Sequence, residues 1–365
     1  MKPSEKTTPD IPITPLISRA AGVVASKLGF TCGQIELTST CFQKCTACSS
    51  WVDNLKGTVR GTWELEEVKT LCLELQSMPS FRWLTLTGGD PQAWEPLDEF
   101  LDWFLAGHFD FHISINSALA RPINDAPLWR AALSGIRLSL DATDAGIYQK
   151  VRGDRANSPE LVLARFAELK HPNSSILAVF YEESIGHMLP YVRYLRTMWE
   201  QGPLRFVDRV GLTAALGPKG VGRDINLYWR AWDEQITALE EDTPCDLQVD
   251  YHGSGRVSAQ FFQDNPTAFH DVPCRIGYYT FHLKADKMWF ACCLLGGEAI
   301  DTQTEYSLGY YDPGDANYGV TAFYDVYVPQ MMYRNPACRE VCQWKQIACN
   351  VEADSAINGR SLKIG

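Results

Sequence analysis

Two periods of hydrophobic residues alternate along the chain. Gly33–Thr40 (GQIELTST) sets Ile35 and Leu37 on one side of an extended segment, the period-two pattern of a strand. Trp63–Met78 then places Leu65, Val68, Leu71, Cys72 and Leu75 at helical spacing. The alternation continues. Strands are expected at Phe81–Thr87, Phe109–Asn116, Ile136–Ala142, Ser174–Glu183 and Arg205–Leu216. Helices are expected at Glu95–Gly107 and in APLWRAALSG, SPELVLARFAELK and MLPYVRYLRTMWEQ, which follow the third, fourth and fifth strands. Strand–helix alternation repeated about six times implies crossover connections and a parallel sheet, as an open barrel or a doubly wound sheet. After Gly217 the rhythm changes: GPKGVG is a loop, Asn226–Asp242 a helix, and cysteines, aromatics and glycines dominate from Cys245 onward. Tyr278–Cys293 has the pattern of two short strands around a turn at Ala285-Asp286.

The chemistry-bearing residues cluster just after the strands. A three-cysteine segment follows the first, GGDP the second, NSAL the third and DATD the fourth. In a barrel these positions share the C-terminal rim, where chemistry gathers.

With 365 residues, 45% of them hydrophobic, the chain can build a substantial core and suits about two domains. A formal charge of -11 argues against an extended phosphate-binding surface. No stretch is apolar for long enough to cross a bilayer, and Pro15 and Arg19 interrupt the N-terminal segment before it could serve as a signal peptide. A cytoplasmic location is therefore expected. Twelve cysteines in a reducing compartment point to metal or redox chemistry rather than disulfides.

Cys41, Cys45 and Cys48 are spaced C-x3-C-x2-C with no fourth cysteine nearby. Thiolates are soft ligands for iron–sulfur clusters or zinc. A closed structural zinc site needs four protein ligands, so this loop favours a cluster with one open iron, unless a remote ligand completes a zinc site. Cys72, on an apolar helix face, and Cys32 are expected to be structural.

These motifs together resemble the radical S-adenosylmethionine (radical SAM) superfamily. Cys41, Cys45 and Cys48 match its cysteine loop. Gly88-Gly89-Asp90-Pro91 stands where that family carries Gly-Gly-Glu-Pro. Ile115-Asn116 resembles the Thr-Asn-Gly end of its third strand, and Ser139 to Gly153 resembles its S-x-D-G…RG segment. The resemblance covers about residues 33 to 216 and implies a partial (β/α)6 TIM-type barrel. It also implies a [4Fe–4S] cluster on the three cysteines, with S-adenosylmethionine on the open iron. Reductive cleavage would yield a 5′-deoxyadenosyl radical that takes a hydrogen atom from substrate. The cofactor-binding residues so implied are Gly88, Gly89, Asp90, Asn116, Ser139, Asp141 and Arg152, with Arg152 meeting the methionyl carboxylate. The same residues have simpler readings, Gly88-Gly89 as a turn, Asp90 as a helix cap and Arg152 as half of a surface ion pair. Asp90 shortens the usual Glu. Ala47 replaces the usual aromatic residue before the third cysteine, a role that Phe42 or Trp51 could fill.

The later cysteines are Cys245, Cys274, Cys292, Cys293, Cys338, Cys342 and Cys349. Their arrangement resembles the SPASM and twitch extensions, which hold auxiliary iron–sulfur clusters. Cys274, Cys292, Cys338 and Cys342 are the expected ligands of a second [4Fe–4S] cluster. Cys293 could replace Cys292, since neighbours on a strand face opposite ways. Zinc on the same thiols is the alternative, and Cys245 and Cys349 could be spare ligands, a hydrogen donor to a substrate radical, or simply buried thiols. The expected organisation is an N-terminal extension (1–32), a radical SAM core (33–225) and a small cysteine-rich α+β auxiliary-cluster region (226–365).

An auxiliary cluster implies electron acceptance or substrate positioning. Oxidation, crosslinking or epimerisation of a peptide or small natural product is the leading reaction class, with an electron donor such as flavodoxin or ferredoxin as partner. Only about 32 residues precede the first strand, too few for a winged-helix peptide-recognition domain. Rearrangement of an amino-acid or nucleotide conjugate, such as a hypermodified base, is an alternative. So is a non-catalytic iron–sulfur or zinc-stapled binding protein, which would leave the motifs facing S-adenosylmethionine without purpose.

Overall fold

The computed structural model describes residues 31–45, 48, 61–153, 156–215, 225–252, 280–290 and 309–312. Strands β1 (Cys32–Glu36), β2 (Trp83–Thr87), β3 (His112–Ser117), β4 (Gly135–Ser139), β5 (Ser174–Phe180) and β6 (Val207–Ala214) pair in chain order, every pair parallel. Helices α1 (Leu65–Gln76), α2 (Leu97–Gly107), α3 (Ala126–Ala132), α4 (Ala145–Arg152), α5 (Pro159–Leu169) and α6 (Met188–Glu200) supply the crossovers. This is the expected α/β architecture, a partial TIM-type barrel.

Local chemistry explains where the helices begin. Asp125, Asp144 and Ser158 cap α3, α4 and α5 by accepting backbone N–H bonds from Leu128, Ile147 and Leu161. Pro127 and Pro159 lie in the first turns of α3 and α5, where an N–H would have no partner in the helix.

The sheet continues beyond six strands. After α7 (Ile225–Glu240), β7 (Gln248–His252) pairs parallel with β6. β8 (Thr280–Leu283) pairs parallel with β1 on the other side. β8 and β9 (Met288–Phe290) form the antiparallel hairpin expected from the sequence, and β10 (Gly309–Tyr310) pairs antiparallel with β9. The spatial order is β10-β9-β8-β1-β2-β3-β4-β5-β6-β7.

Strand register divides the sheet into two faces. Leu283, Ile35, Leu86, Ile115 and Ile136 align across β8, β1, β2, β3 and β4 and join the core with helical residues such as Val68, Leu71 and Phe100. Cys72 is fully buried there, the structural role expected of it. The opposite face is polar. Asn116, Arg137, Ser175, Arg209 and Gln248 align across β3 to β7. A cavity of about 370 Å³ opens along this face, with Trp83, Ser114, Asn116, Arg137 and Arg209 among its lining.

Candidate active site at the C-terminal rim

β1 leads directly into the cysteine loop. A second cavity, about 180 Å³, lies at that end of the sheet and is lined by Cys41, Cys45, Cys48, Gly88, Gly89, Asn116, Ser139 and Arg152, with Gln43, Thr87, Ser117 and Ala118. Four strand ends thus contribute to one hollow. The three cysteines are free thiols. No three His, Cys, Asp or Glu side chains among the described residues are close enough to enclose a single metal ion. The thiols are instead spread round the cavity wall.

The loop is held from two sides. Gly89 N–H donates to Thr38 O at 2.7 Å and Asp90 N–H to Thr40 O at 2.9 Å. A Cβ on Gly89 would lie 2.2 Å from Thr40 O, and one on Gly88, whose φ is +145°, would lie 2.5 Å from Thr38 O. These glycines are therefore required by the close approach of the backbone leading to Cys41. On the far side Lys44 N–H donates to Arg152 O at 3.1 Å, and a Cβ on Gly153 would meet Lys44 O at 2.6 Å. Within the loop, Cys48 N–H donates to Cys45 O at 3.2 Å.

Asp90 is 1% exposed. Its Oδ1 accepts from Gln92 N–H at 3.1 Å and Ser117 Oγ–H at 2.9 Å, so it does cap the short 3-10 turn Pro91–Ala93. Its Oδ2 is buried with no hydrogen bond of good geometry. Burial raises the Asp90 carboxyl above its ordinary range, opposed by these contacts, a weaker one from Ala118 N–H, and the Arg152 charge. Asn116 and Ser139 line the cavity without using their side chains in hydrogen bonds to described residues, and Asn116 lines both cavities.

Arg152 and Asp141 behave as a pair. Arg152 Nε lies 2.6 Å from Asp141 Oδ2, and both side chains are nearly inaccessible. Asp141 Oδ1 accepts from Val179 N–H at 2.8 Å, which leaves both oxygens engaged inside the protein. Asp141 anchors Arg152, and Arg152 borders the cavity.

Two residues not singled out in the sequence, Gln43 and Tyr148, complete the site. Gln43, inside the cysteine loop, is 2% exposed, and its carboxamide joins Arg152 to Tyr148. Phe42 lies under the Arg121 guanidinium, 3.9 Å from carbon to ring centroid. Ala47 and Trp51 fall outside the described residues, as do Cys274, Cys292, Cys293, Cys338, Cys342 and Cys349. Cys245 is described as a half-buried free thiol whose sulfur accepts from Leu247 N–H at 3.5 Å.

Burial dominates thiol ionisation. It pushes Cys41 from 9.0 up to about 12, with Asp90 adding to the effect. It likewise pushes Cys45 up to about 12, against the opposing pull of Arg152. In the metal-free chain both sulfurs are protonated at neutral pH, so any metal they bind must displace protons. The donor set fits an iron–sulfur cluster carrying a small ligand: three soft sulfurs beside an adjoining hollow with polar walls.

No protein-family profile matches the chain, and no curated protein sequence does. Solved structures do. SuiB from Streptococcus suis bound to S-adenosylmethionine matches with a TM-score of 0.57 and 15% identity, over 90% of this chain and 74% of that one. SuiB bound to precursor peptide SuiA matches with a TM-score of 0.61 and 15% identity, over 94% and 78%. The structure of anSMEcpe with bound AdoMet and the Cp18Cys peptide matches with a TM-score of 0.56 and 13% identity, over 90% and 96%. These neighbours are radical SAM enzymes, and at such identities the likeness carries the fold: this chain has the partial barrel of the radical SAM enzymes, the fold its motifs implied.

Proposed function

We propose that the protein is a radical SAM enzyme that binds a [4Fe–4S] cluster through Cys41, Cys45 and Cys48 and modifies a peptide. The carrying observation is the convergence of three thiols, Gly88-Gly89, Asn116, Ser139 and Arg152 on one cavity at the C-terminal rim. When bound, the cluster and S-adenosylmethionine supply one-electron cleavage chemistry, which removes a hydrogen atom from substrate. The chain's residues bind and orient. Gly88 and Gly89 leave backbone beside the cavity, and Asp90 braces the wall behind it through Ser117 and the Thr40 carbonyl. Asn116 and Ser139 offer uncommitted polar groups, while Arg152 places a fixed cation at the wall.

A peptide is favoured because two fold neighbours were solved with peptides, SuiB with SuiA and anSMEcpe with Cp18Cys. Cys274, Cys292, Cys338 and Cys342 would hold an auxiliary cluster in a C-terminal region beginning near residue 226, and flavodoxin or ferredoxin would supply electrons. Oxidoreductase and isomerase outcomes both fit this arrangement.

Anaerobic reconstitution followed by iron and sulfide assay tests the reading. About eight irons, falling to about four in the Cys41/Cys45/Cys48 triple alanine variant, is the expected result. About four falling to none would remove the auxiliary cluster. An unchanged count would remove the cluster assignment to these three thiols.

A further inference from the structure

We infer that Gln43 is a positioning residue for the cluster loop: its buried carboxamide fixes where Cys45 stands relative to the Arg152 guanidinium. The inference rests on reading Cys41, Cys45 and Cys48 as the cluster ligands.

A glutamine between two ligands in a polar loop would ordinarily be solvated. Here it is buried and its hydrogen-bonding groups are in use. Oε1 accepts from Arg152 Nη1–H at 3.1 Å and faces the Cys45 thiol at 3.9 Å. Nε2 donates to Tyr148 Oη at 3.3 Å. The Gln43 backbone N–H donates to Cys41 Sγ at 3.4 Å. One residue therefore touches two ligand sulfurs and two side chains of α4.

The α4 side of this contact is stiff. Tyr148 and Arg152 are four residues apart and share one face of α4. Asp144 caps the start of α4, and Gly153 packs against the Lys44 backbone at its end. Asp141 fixes the guanidinium and is itself fixed by the backbone of β5. A continuous series of contacts thus runs from β5 through Asp141 and Arg152 to the cysteine loop. The Arg152–Gln43 bond is charge-assisted, and losing it leaves a buried guanidinium N–H without that acceptor. A cation held near a sulfur ligand favours the more negative state of whatever the sulfur binds, so a loosened loop changes both grip and charge balance.

The test compares wild type with Gln43→Met, Gln43→Glu and Tyr148→Phe after anaerobic cluster loading. Methionine keeps the length and removes the amide, while glutamate restores the acceptor for Arg152. Three quantities are measured: iron release to a chelator, the cluster midpoint potential by EPR-monitored titration, and thermal unfolding of the metal-free chain. Gln43→Met is expected to release iron about tenfold faster and to shift the potential downward, by loss of about two buried hydrogen bonds. Tyr148→Phe should fall between it and wild type, and Gln43→Glu should release iron at close to the wild-type rate. Wild-type release and potential in Gln43→Met would overturn the inference, as would Gln43→Glu releasing iron as fast as Gln43→Met. A release that tracks only lowered melting of the metal-free chain would overturn it too. Wild type that loads no cluster would instead overturn the ligand reading beneath it.

Discussion

Gly89→Ala is expected to damage the site without touching any cofactor-bearing atom. The new Cβ would stand 2.2 Å from Thr40 O and 2.7 Å from Ser39 O, both backbone atoms. The closer contact is about 1 Å short of the 3.4 Å at which ordinary contact begins, so one of the two backbones must move. The movement acts on two hydrogen bonds, Gly89 N–H to Thr38 O and Asp90 N–H to Thr40 O. Their loss costs about 1 kcal/mol each, and overpacking adds about 1 to 3 kcal/mol. The sum, about 3 to 5 kcal/mol, lowers the urea midpoint by about 1 to 2 M at a slope of about 3 kcal/mol/M, the upper end of the ordinary range as suits a chain of this size. Gly186→Ala is the control, because nothing lies within 4 Å of its added Cβ. Urea unfolding of the metal-free, reduced protein reads the effect, and cluster loading reads the displaced Cys41. Gly89→Ala unfolding together with Gly186→Ala and loading normally would refute the steric account of the glycine pair.

Other consequences follow from the same contacts. Asp141→Asn leaves Arg152 charged and buried without its counter-ion, so unfolding free energy should drop by about 3 kcal/mol or more. Recovery of part of that loss in Asp141→Asn with Arg152→Leu, measured by urea titration, checks the coupling. Gly153→Ala must accommodate both a φ of +85° and a 2.6 Å approach to Lys44 O, so it should lower cluster retention more than Gly202→Ala, which has open space around it. The raised thiols give a pH dependence with a definite sign. The stability contributed by keeping Cys41 and Cys45 protonated is complete below about pH 9 and is lost as pH rises toward about 12. Urea midpoints of the metal-free protein should therefore fall between pH 8 and pH 11, and fall less in Cys41→Ala with Cys45→Ala. Equal falls in both would remove the buried-thiol explanation.

Much of the barrel was legible because each unit buries one face. Ile35, Leu86, Ile115 and Ile136 recur at strand period and align in the sheet. The β8–β9 hairpin was likewise visible around Ala285-Asp286. β7 was not, because QVDYH is short and its register sets Gln248 and Asp250 in line with Arg209 and Gly211 on the polar face, leaving little apolar signal. At the site, the thiols, Gly88-Gly89, Asn116, Ser139 and Arg152 were found from motif order, and the structure gathers them. The physical need for the glycines was not readable, since it comes from the backbone of residues 38–40 across the loop. Asp141 anchors Arg152 through a pairing that spacing alone does not reveal. Gln43 and Tyr148 were missed because their partnership crosses 105 positions. A polar loop residue gives no sequence sign of burial.

The most direct measurement is 5′-deoxyadenosine formation by the reconstituted, reduced protein given S-adenosylmethionine under anaerobic conditions, followed by mass spectrometry. Wild type should form it, and the Cys41/Cys45/Cys48 triple alanine variant should form none. Cluster-loaded wild type that leaves S-adenosylmethionine intact across a broad peptide and small-molecule panel would contradict the proposed function. So would a triple variant that cleaves it as fast as wild type.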